Sequence, residues 1–184
     1  MVRILETSFS IAHPWHKVSL ACFFKYPNPF SKHVLSSDII SRRIDPTTGN
    51  LHTTKLLHKT SSLPNWLRSL CNNASNGGGY VLEESEVDFQ HRTMSIKTTN
   101  VSHARIVQVT ESILLEEAQG AASAETIVRG TTKVVSHFGW GAAVKAKVEA
   151  YLTKRLKEHF ETKSGKALQF VVERMLEANG SFLR

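Results

Sequence analysis

Cysteine is scarce in this chain, with only Cys22 and Cys71 among 184 residues. Two cysteines make no disulfide framework for a chain of this size, and Cys22, set in an apolar run, reads as a small buried hydrophobe. Long hydrophobic runs are missing too. No segment holds the ~18 uninterrupted apolar residues of a membrane-spanning helix, so the chain is not expected to cross a bilayer by itself. Aromatic residues make up 8% of the chain and are not interleaved with the basic ones, as a nucleic-acid stacking platform requires. The opening residues, Met1 to Glu6, lack the apolar core of a secretory signal and carry an acid foreign to transit peptides. The sequons at Asn73, Asn100 and Asn179 are therefore taken as chance.

Reaction motifs are absent as well. There is no nucleophile elbow, P-loop, dinucleotide fingerprint or HExxH pair. Gly77-Gly78-Gly79 precedes a strand and lacks the helix N-terminus of a phosphate cradle, so it reads as a hinge. His13 and His16 have no matching Cys/His pair nearby, which disfavours zinc. The pairs Glu83-Glu84 and Glu116-Glu117 lie in strand-like segments, so the two members of each point to opposite faces. They make poor acid/base couples, and solvated faces and strand edges explain them. The expectation is a protein that is not an enzyme and uses neither metal nor cofactor.

Positive charge is what the chain has in excess. Lys and Arg number 23 against 16 Asp and Glu, a formal net charge of +7. Such a surface suits anionic partners, whether phospholipid headgroups or nucleic acid. A basic nucleic-acid-binding module is accordingly one reading, weakened by the aromatic placement.

Hydrophobic patterning gives the architecture. Residues 2–11 alternate as a strand, and residues 14–25 carry Trp15, Val18 and Ala21/Cys22 at helical spacing behind Pro14. Tyr26-Pro27-Asn28-Pro29 must end that helix, because a residue before proline is driven out of helical geometry. Val34 to Ile44 and Leu51 to Thr60 flank the turn-forming Asp45-Pro46-Thr47-Thr48-Gly49-Asn50 and predict a hairpin. A short apolar piece occupies about 64–71. Four more strands are expected near 80–90, 93–101, 105–118 and 125–137, with one turn at Gly120-Ala121-Ala122-Ser123. From Gly141 to about Ala178 the period becomes helical, with a bend expected at Gly165. Seven strands and one long helix predict a single α+β domain over residues 1–184, with an antiparallel meander. Such a domain either packs solid or encloses a hollow between sheet and helix, and patterning does not choose.

The long helix carries the one pattern that breaks the rule for a core face. Val144, Val148 and Tyr151 share a stripe that continues as Arg155, His159 and Thr162. The neighbouring row Val148, Leu152, Leu156, Phe160 stays apolar and can hold the helix to the sheet. Either the polar residues face solvent, or they line a cavity whose ligand is an anion. The strand at 51–60 poses the same choice, with Lys55, Leu57 and Lys59 on one face and Thr54, Leu56 and His58 on the other. Lys25 at the end of the first helix is equally open.

Several motifs now combine: His13-Pro14-Trp15, Lys25-Tyr26-Pro27-Asn28-Pro29, His33-Val34-Leu35-Ser36-Ser37-Asp38, Arg42 with Asp45, Leu51-His52-Thr53-Thr54-Lys55-Leu56-Leu57, Leu63-Pro64-Asn65-Trp66 and Lys147-Val148-Glu149. The set resembles the PRELI-like family of mitochondrial intermembrane-space phospholipid transfer proteins over essentially the whole chain. The Thr-Thr-Lys-Leu-Leu and Leu-Pro-Asn-Trp series is more similar to the fungal phosphatidic acid carriers than to the phosphatidylserine branch, which stands as the alternative within the family. The resemblance implies a curved seven-stranded sheet wrapped against a long C-terminal helix, enclosing a lipid pocket, with short helices near 14–25 and 64–71. It implies transfer of phosphatidic acid from the outer to the inner mitochondrial membrane for cardiolipin synthesis. It further implies peripheral contact with anionic membrane and a one-to-one complex with a small helical partner bearing twin cysteine motifs. Carried over by position, the headgroup residues are Lys25, Lys59, Arg155, His159 and Lys163. Leu63, Pro64, Trp66, Leu67 and Leu70 fall on the lid that meets the membrane. Two positions depart from the family pattern, Ser62 and Thr162, where basic residues are expected.

Overall fold

The computed structural model describes residues 2–60, 78–118, 125–137, 139 and 141–181. The short helix expected near 64–71, the lid positions Leu63, Pro64, Trp66, Leu67 and Leu70, the departure at Ser62, and the Gly120–Ser123 turn lie outside the described residues, as does Cys71.

Seven strands form one antiparallel sheet: β1 (Val2–Ile11), β2 (Val34–Ile44), β3 (Leu51–Lys59), β4 (Gly79–Asp88), β5 (Thr93–Asn100), β6 (Val107–Glu117) and β7 (Thr126–Ser136). The order β1-β7-β6-β5-β4-β3-β2 makes a meander from β2 to β7, with β1 added beside β7. The sheet is not closed; β1 and β2 are its edges. The β2–β3 turn is set by Asp45, whose Oδ1 accepts from the Thr47 and Thr48 amides at 2.7 and 3.3 Å. Those two backbone bonds hold the Asp45 carboxyl below its ordinary range.

Helix α1 (Trp15–Phe23) follows Pro14, which stands at its N-cap. A 3₁₀ turn (Pro29–Ser31) comes next, stapled by buried Asn28. The Asn28 Oδ1 accepts from the Phe30 amide at 2.8 Å and its Nδ2 donates to the Lys25 carbonyl at 2.5 Å. The Tyr-Pro-Asn-Pro segment thus turns the chain sharply between Lys25 and His33. The C-terminal helix runs as α2 (Ala142–His159), a π turn (Phe160–Ser164) and α3 (Gly165–Ser181). The expected bend at Gly165 is therefore corrected: the irregularity is the π turn immediately before it, and Gly165 itself is helical.

Two glycine contacts explain that placement. A Cβ at Gly130 on β7 would lie 2.4 Å from the Phe160 ring, so only glycine admits Phe160 against the sheet. Phe160 also packs on Phe9, with ring centroids 5.2 Å apart, and the Phe9 ring lies 3.4 Å from where a Gly165 Cβ would sit. The helix is thereby pinned to β1 and β7 at its π turn, a form of single-turn bulge often found near functional sites.

The core gathers Ile11, Trp15, Val18, Val87, Met94, Leu115, Val128, Phe160, Leu168 and Val172 between the sheet, α1 and α3. Cys22 belongs to it, and burial pushes its thiol up to about 12, as a small hydrophobe would behave. On β3 the inward face is the one bearing lysine: Thr53, Lys55 and Leu57 are buried. Lys55, 4% exposed, meets Glu83 at 3.5 Å and donates to the Cys22 and Phe23 carbonyls at 3.5 and 3.4 Å. Solvation therefore does not explain Glu83, although it does explain exposed Glu84. The register places Lys55 directly opposite Glu83, so the two charges neutralise each other inside.

Candidate functional site

The other end of the same sheet face stands off from α2. A cavity of about 950 Å³ lies between them, near the upper end of the ~300–1,000 Å³ of ordinary ligand pockets. Val81 on β4, Val107 and Val109 on β6, and Leu152 and Leu156 on α2 supply apolar wall. The row Val148, Leu152, Leu156, Phe160 thus divides. Val148 and Phe160 hold the helix down as buried contacts, while Leu152 and Leu156 face the hollow.

The rest of the wall is cationic and polar. Lys59 ends β3, Arg155 and His159 lie on the last turns of α2, and Thr162 and Lys163 come from the π turn. Lys32 and His33 enter from the loop after the 3₁₀ turn. Among the described residues of this wall, carboxylates come from Glu111 and Glu158. The Arg155 guanidinium donates to the Tyr151 hydroxyl at 3.3 Å. Gly78 has φ +85°, in the left-handed region that favours glycine, and a Cβ there would overlap the Lys59 carbonyl oxygen. Gly78 is thus seated tightly against the Lys59 backbone, where the glycine run had suggested a hinge.

His33 and His159 meet with ring centroids 5.3 Å apart and planes 84° to each other. The His159 Nε2 is buried without a hydrogen-bond partner. Burial pushes both imidazoles down to about 4, and neighbouring charge deepens the effect: Lys59, Lys163, Lys25 and Arg155 for His33, and for His159 the mutual repulsion with His33 that protonating both rings would bring, then Lys25, Lys59 and Lys163. Both rings are therefore neutral at pH 7.

Of the residues expected from sequence to hold a headgroup, Lys59, Arg155, His159 and Lys163 are brought to one wall. Lys25 is not on that wall. Its ammonium lies 5.5 Å from the Tyr26 ring centroid. Burial opposes its charge, but Tyr26, Glu83, Cys22 and Glu111 outweigh burial and hold its pKa above the ordinary lysine value. Its field still reaches both histidines. Arg155, His159 and Thr162 all border the cavity, with His159 half-buried and Arg155 and Thr162 exposed at its open side. His33 and Lys32 were not identified as site residues from sequence. The available signal was their place between a proline-rich turn and a strand, where a short loop must project inward over the sheet end.

Comparison with known proteins gives a consistent family. A family model described as PRELI-like family matches residues 16–179. The chain is similar to "Protein UPS1, mitochondrial" of Saccharomyces cerevisiae, 34% identical over 178 residues, covering 97% of each chain. It is 32% identical over 178 residues to "Protein ups1 homolog" of Schizosaccharomyces pombe, covering 96% of this chain and 99% of that one. It is 34% identical over 166 residues to human "PRELI domain-containing protein 1, mitochondrial", covering 85% of this chain and 73% of that one. Among solved structures, the Zhui aromatase/cyclase of Streptomyces sp. R1128 superposes with a TM-score of 0.60 over 98% of this chain and 99% of that one. At 14% identity it shares the fold alone.

Proposed function

On the premise that this chain belongs to the PRELI-like family, whose role is mitochondrial lipid transfer, we propose that it carries phosphatidic acid between the outer and inner mitochondrial membranes. The observation that carries the reading is the divided cavity: apolar wall from Val81, Val107, Val109, Leu152 and Leu156, and a cationic wall from Lys59, Arg155 and Lys163. Acyl chains leaving water for the apolar part gain ~0.8 kcal/mol per buried CH₂. A phosphomonoester accepts charge-assisted hydrogen bonds from Lys and Arg, which are the stronger kind. No bond is made or broken in this reading; the work is binding, enclosure and release. Basic residues also draw the protein to anionic membrane, by about 1 kcal/mol for each one near the surface. The phosphatidic acid delivered in the intermembrane space would feed cardiolipin synthesis.

Native mass spectrometry of the purified protein tests this. Phosphatidic acid in the bound fraction is expected; bound phosphatidylserine would move the chain to the other branch, and bound nucleic acid or no ligand would remove the reading.

The reading includes a one-to-one complex with a small helical partner carrying twin cysteine motifs. Exposed apolar side chains support it, since Leu20 on α1, Phe24 at its C-cap and Leu35, Ile39 and Ile40 on β2 are left uncovered. A partner that binds only the folded state stabilises it by mass action. Coexpressed material is expected to melt higher than the chain alone. Equal melting temperatures, with the isolated chain monomeric, would remove the stability argument.

A further inference from the structure

We propose that His33 and His159 are conditional cations: neutral in the empty cavity, one of them takes a proton from water when a dianionic phosphate enters, so headgroup binding is coupled to proton uptake and favours a phosphomonoester over a phosphodiester. The proposal rests on the carrier reading above and deepens it.

The geometry carries it. The two rings meet edge to face at 5.3 Å on the cavity wall, and the His159 Nε2 is buried with no partner. A buried ring nitrogen without a partner is an unspent donor or acceptor, worth satisfying only when something enters the site. The rings come from different elements, His33 from the loop before β2 and His159 from the end of α2, so a ligand between them would meet both supports of the cavity.

The surrounding charges set the sign. Lys59 on β3, Lys163 on the π turn, Arg155 on α2 and Lys25 after α1 all act on this pair and oppose its protonation. Lys32 and His103 add potential positive charge from the loops, while Glu158 on α2 and Glu111 on β6 are the carboxylates of the same wall. An empty cavity therefore keeps both imidazoles uncharged. A phosphate dianion reverses the local field: it neutralises the lysine repulsion and gives an imidazolium N–H an acceptor. A monoanionic diester reverses it less, because it brings half the charge into the same field. The site thus matches its positive charge to its ligand, and the second negative charge of a phosphomonoester is what recruits the proton.

Calorimetry tests the coupling with the full chain and short-chain lipids. Titrations at pH 6.5 in buffers of different ionisation enthalpy report the protons exchanged. Phosphatidic acid, which sheds part of a proton to bind as the dianion because its second pKa lies at about 6, is expected to bind with net uptake of somewhat less than about one proton, and its affinity to tighten by less than about tenfold per pH unit lowered from 8 to 6.5. Phosphatidylglycerol, a diester, is expected to bind without uptake. A His33→Gln/His159→Gln double variant should lose the uptake, and subtracting its titration removes the headgroup's own protonation. Should the variant fail to fold, ring-carbon NMR of the unmodified protein reads the same step: one imidazole shifts to its protonated position at pH 6.5 when phosphatidic acid is added. Binding of phosphatidic acid with no proton uptake and no imidazole shift overturns the proposal alone. If neither lipid binds, the carrier reading itself falls.

Discussion

At one end of the inner sheet face, Val87, Met94, Leu115 and Val128 pack directly against Trp15, Val18, Leu168 and Val172 from α1 and α3. At the other end, Lys59, Val81, Val107 and Val109 face α2 across about 950 Å³ of open space. Strands β4 and β6 run through both ends, so the difference comes from what covers them. Helix α3 offers Ala167, Leu168, Val171 and Val172, a continuous buried stripe. Helix α2 offers Leu152, Arg155, Leu156 and His159 to the space beneath it. The π turn, locked by Phe160 in the notch left by Gly130, joins the two without a loop. Between solid end and hollow end lies the Lys55–Glu83 pair, buried and mutually neutralised. A protein can therefore combine a rigid core and a ligand cavity on one sheet by changing the covering helix face across a single irregular turn.

The sharpest way to break this division is at the ionic layer. Glu83→Leu leaves the Lys55 ammonium buried without its carboxylate and is expected to lower stability by about 3–5 kcal/mol in denaturant titrations. Adding Lys55→Met should recover most of that loss. A double variant as unstable as the single one would show that the pair supports the fold by something other than mutual neutralisation. At the solid end, Leu115→Ala removes a fully buried side chain and should cost about 3 kcal/mol.

Acid should act on the hollow end. His33 and His159 sit near pH 4 in the folded protein against an ordinary 6.5. Between those values the unfolded chain binds more protons, so stability falls as pH falls from about 6.5 towards 4, by at most ~1.4 kcal/mol per pH unit for each ring. After discounting for partial exposure, about 2 kcal/mol should separate pH 7 from pH 5, and His33→Gln/His159→Gln should remove that part of the slope. An unchanged slope would place both rings in solvent. The smallest effect is expected for Leu156→Ala, because its side chain already borders open space; under about 1 kcal/mol is predicted, against the larger loss at Leu115. Equal losses at the two leucines would contradict the hollow.

Much of this arrangement was legible in the residues. Alternation located the seven strands, the Asp45–Asn50 turn located the hairpin, and the change of period located the long helix. What alternation lacks is a sign: it put Lys55 and Lys59 on one face of β3 without saying which face was inward, and that depended on Glu83 standing opposite Lys55 in β4. Gly165 drew attention as the breaker, yet the irregularity is fixed by Phe160 finding Gly130 some thirty residues earlier, a contact no local pattern contains. The Arg155–His159–Thr162 stripe was visible as an anomaly, and all three residues border the cavity. His33 stayed hidden because its partner is His159, far along the chain.

The central claim is that the cationic wall of the hollow end holds a phospholipid headgroup. The most direct measurement is transfer of phosphatidic acid between liposomes by the wild-type chain and by Lys59→Glu and Arg155→Glu. Each reversal places negative charge on the wall that faces the phosphate, and each is expected to cut transfer at least about tenfold while leaving the circular dichroism spectrum native. Transfer at the wild-type rate by both variants would contradict the account, because the wall would then take no part in holding the lipid.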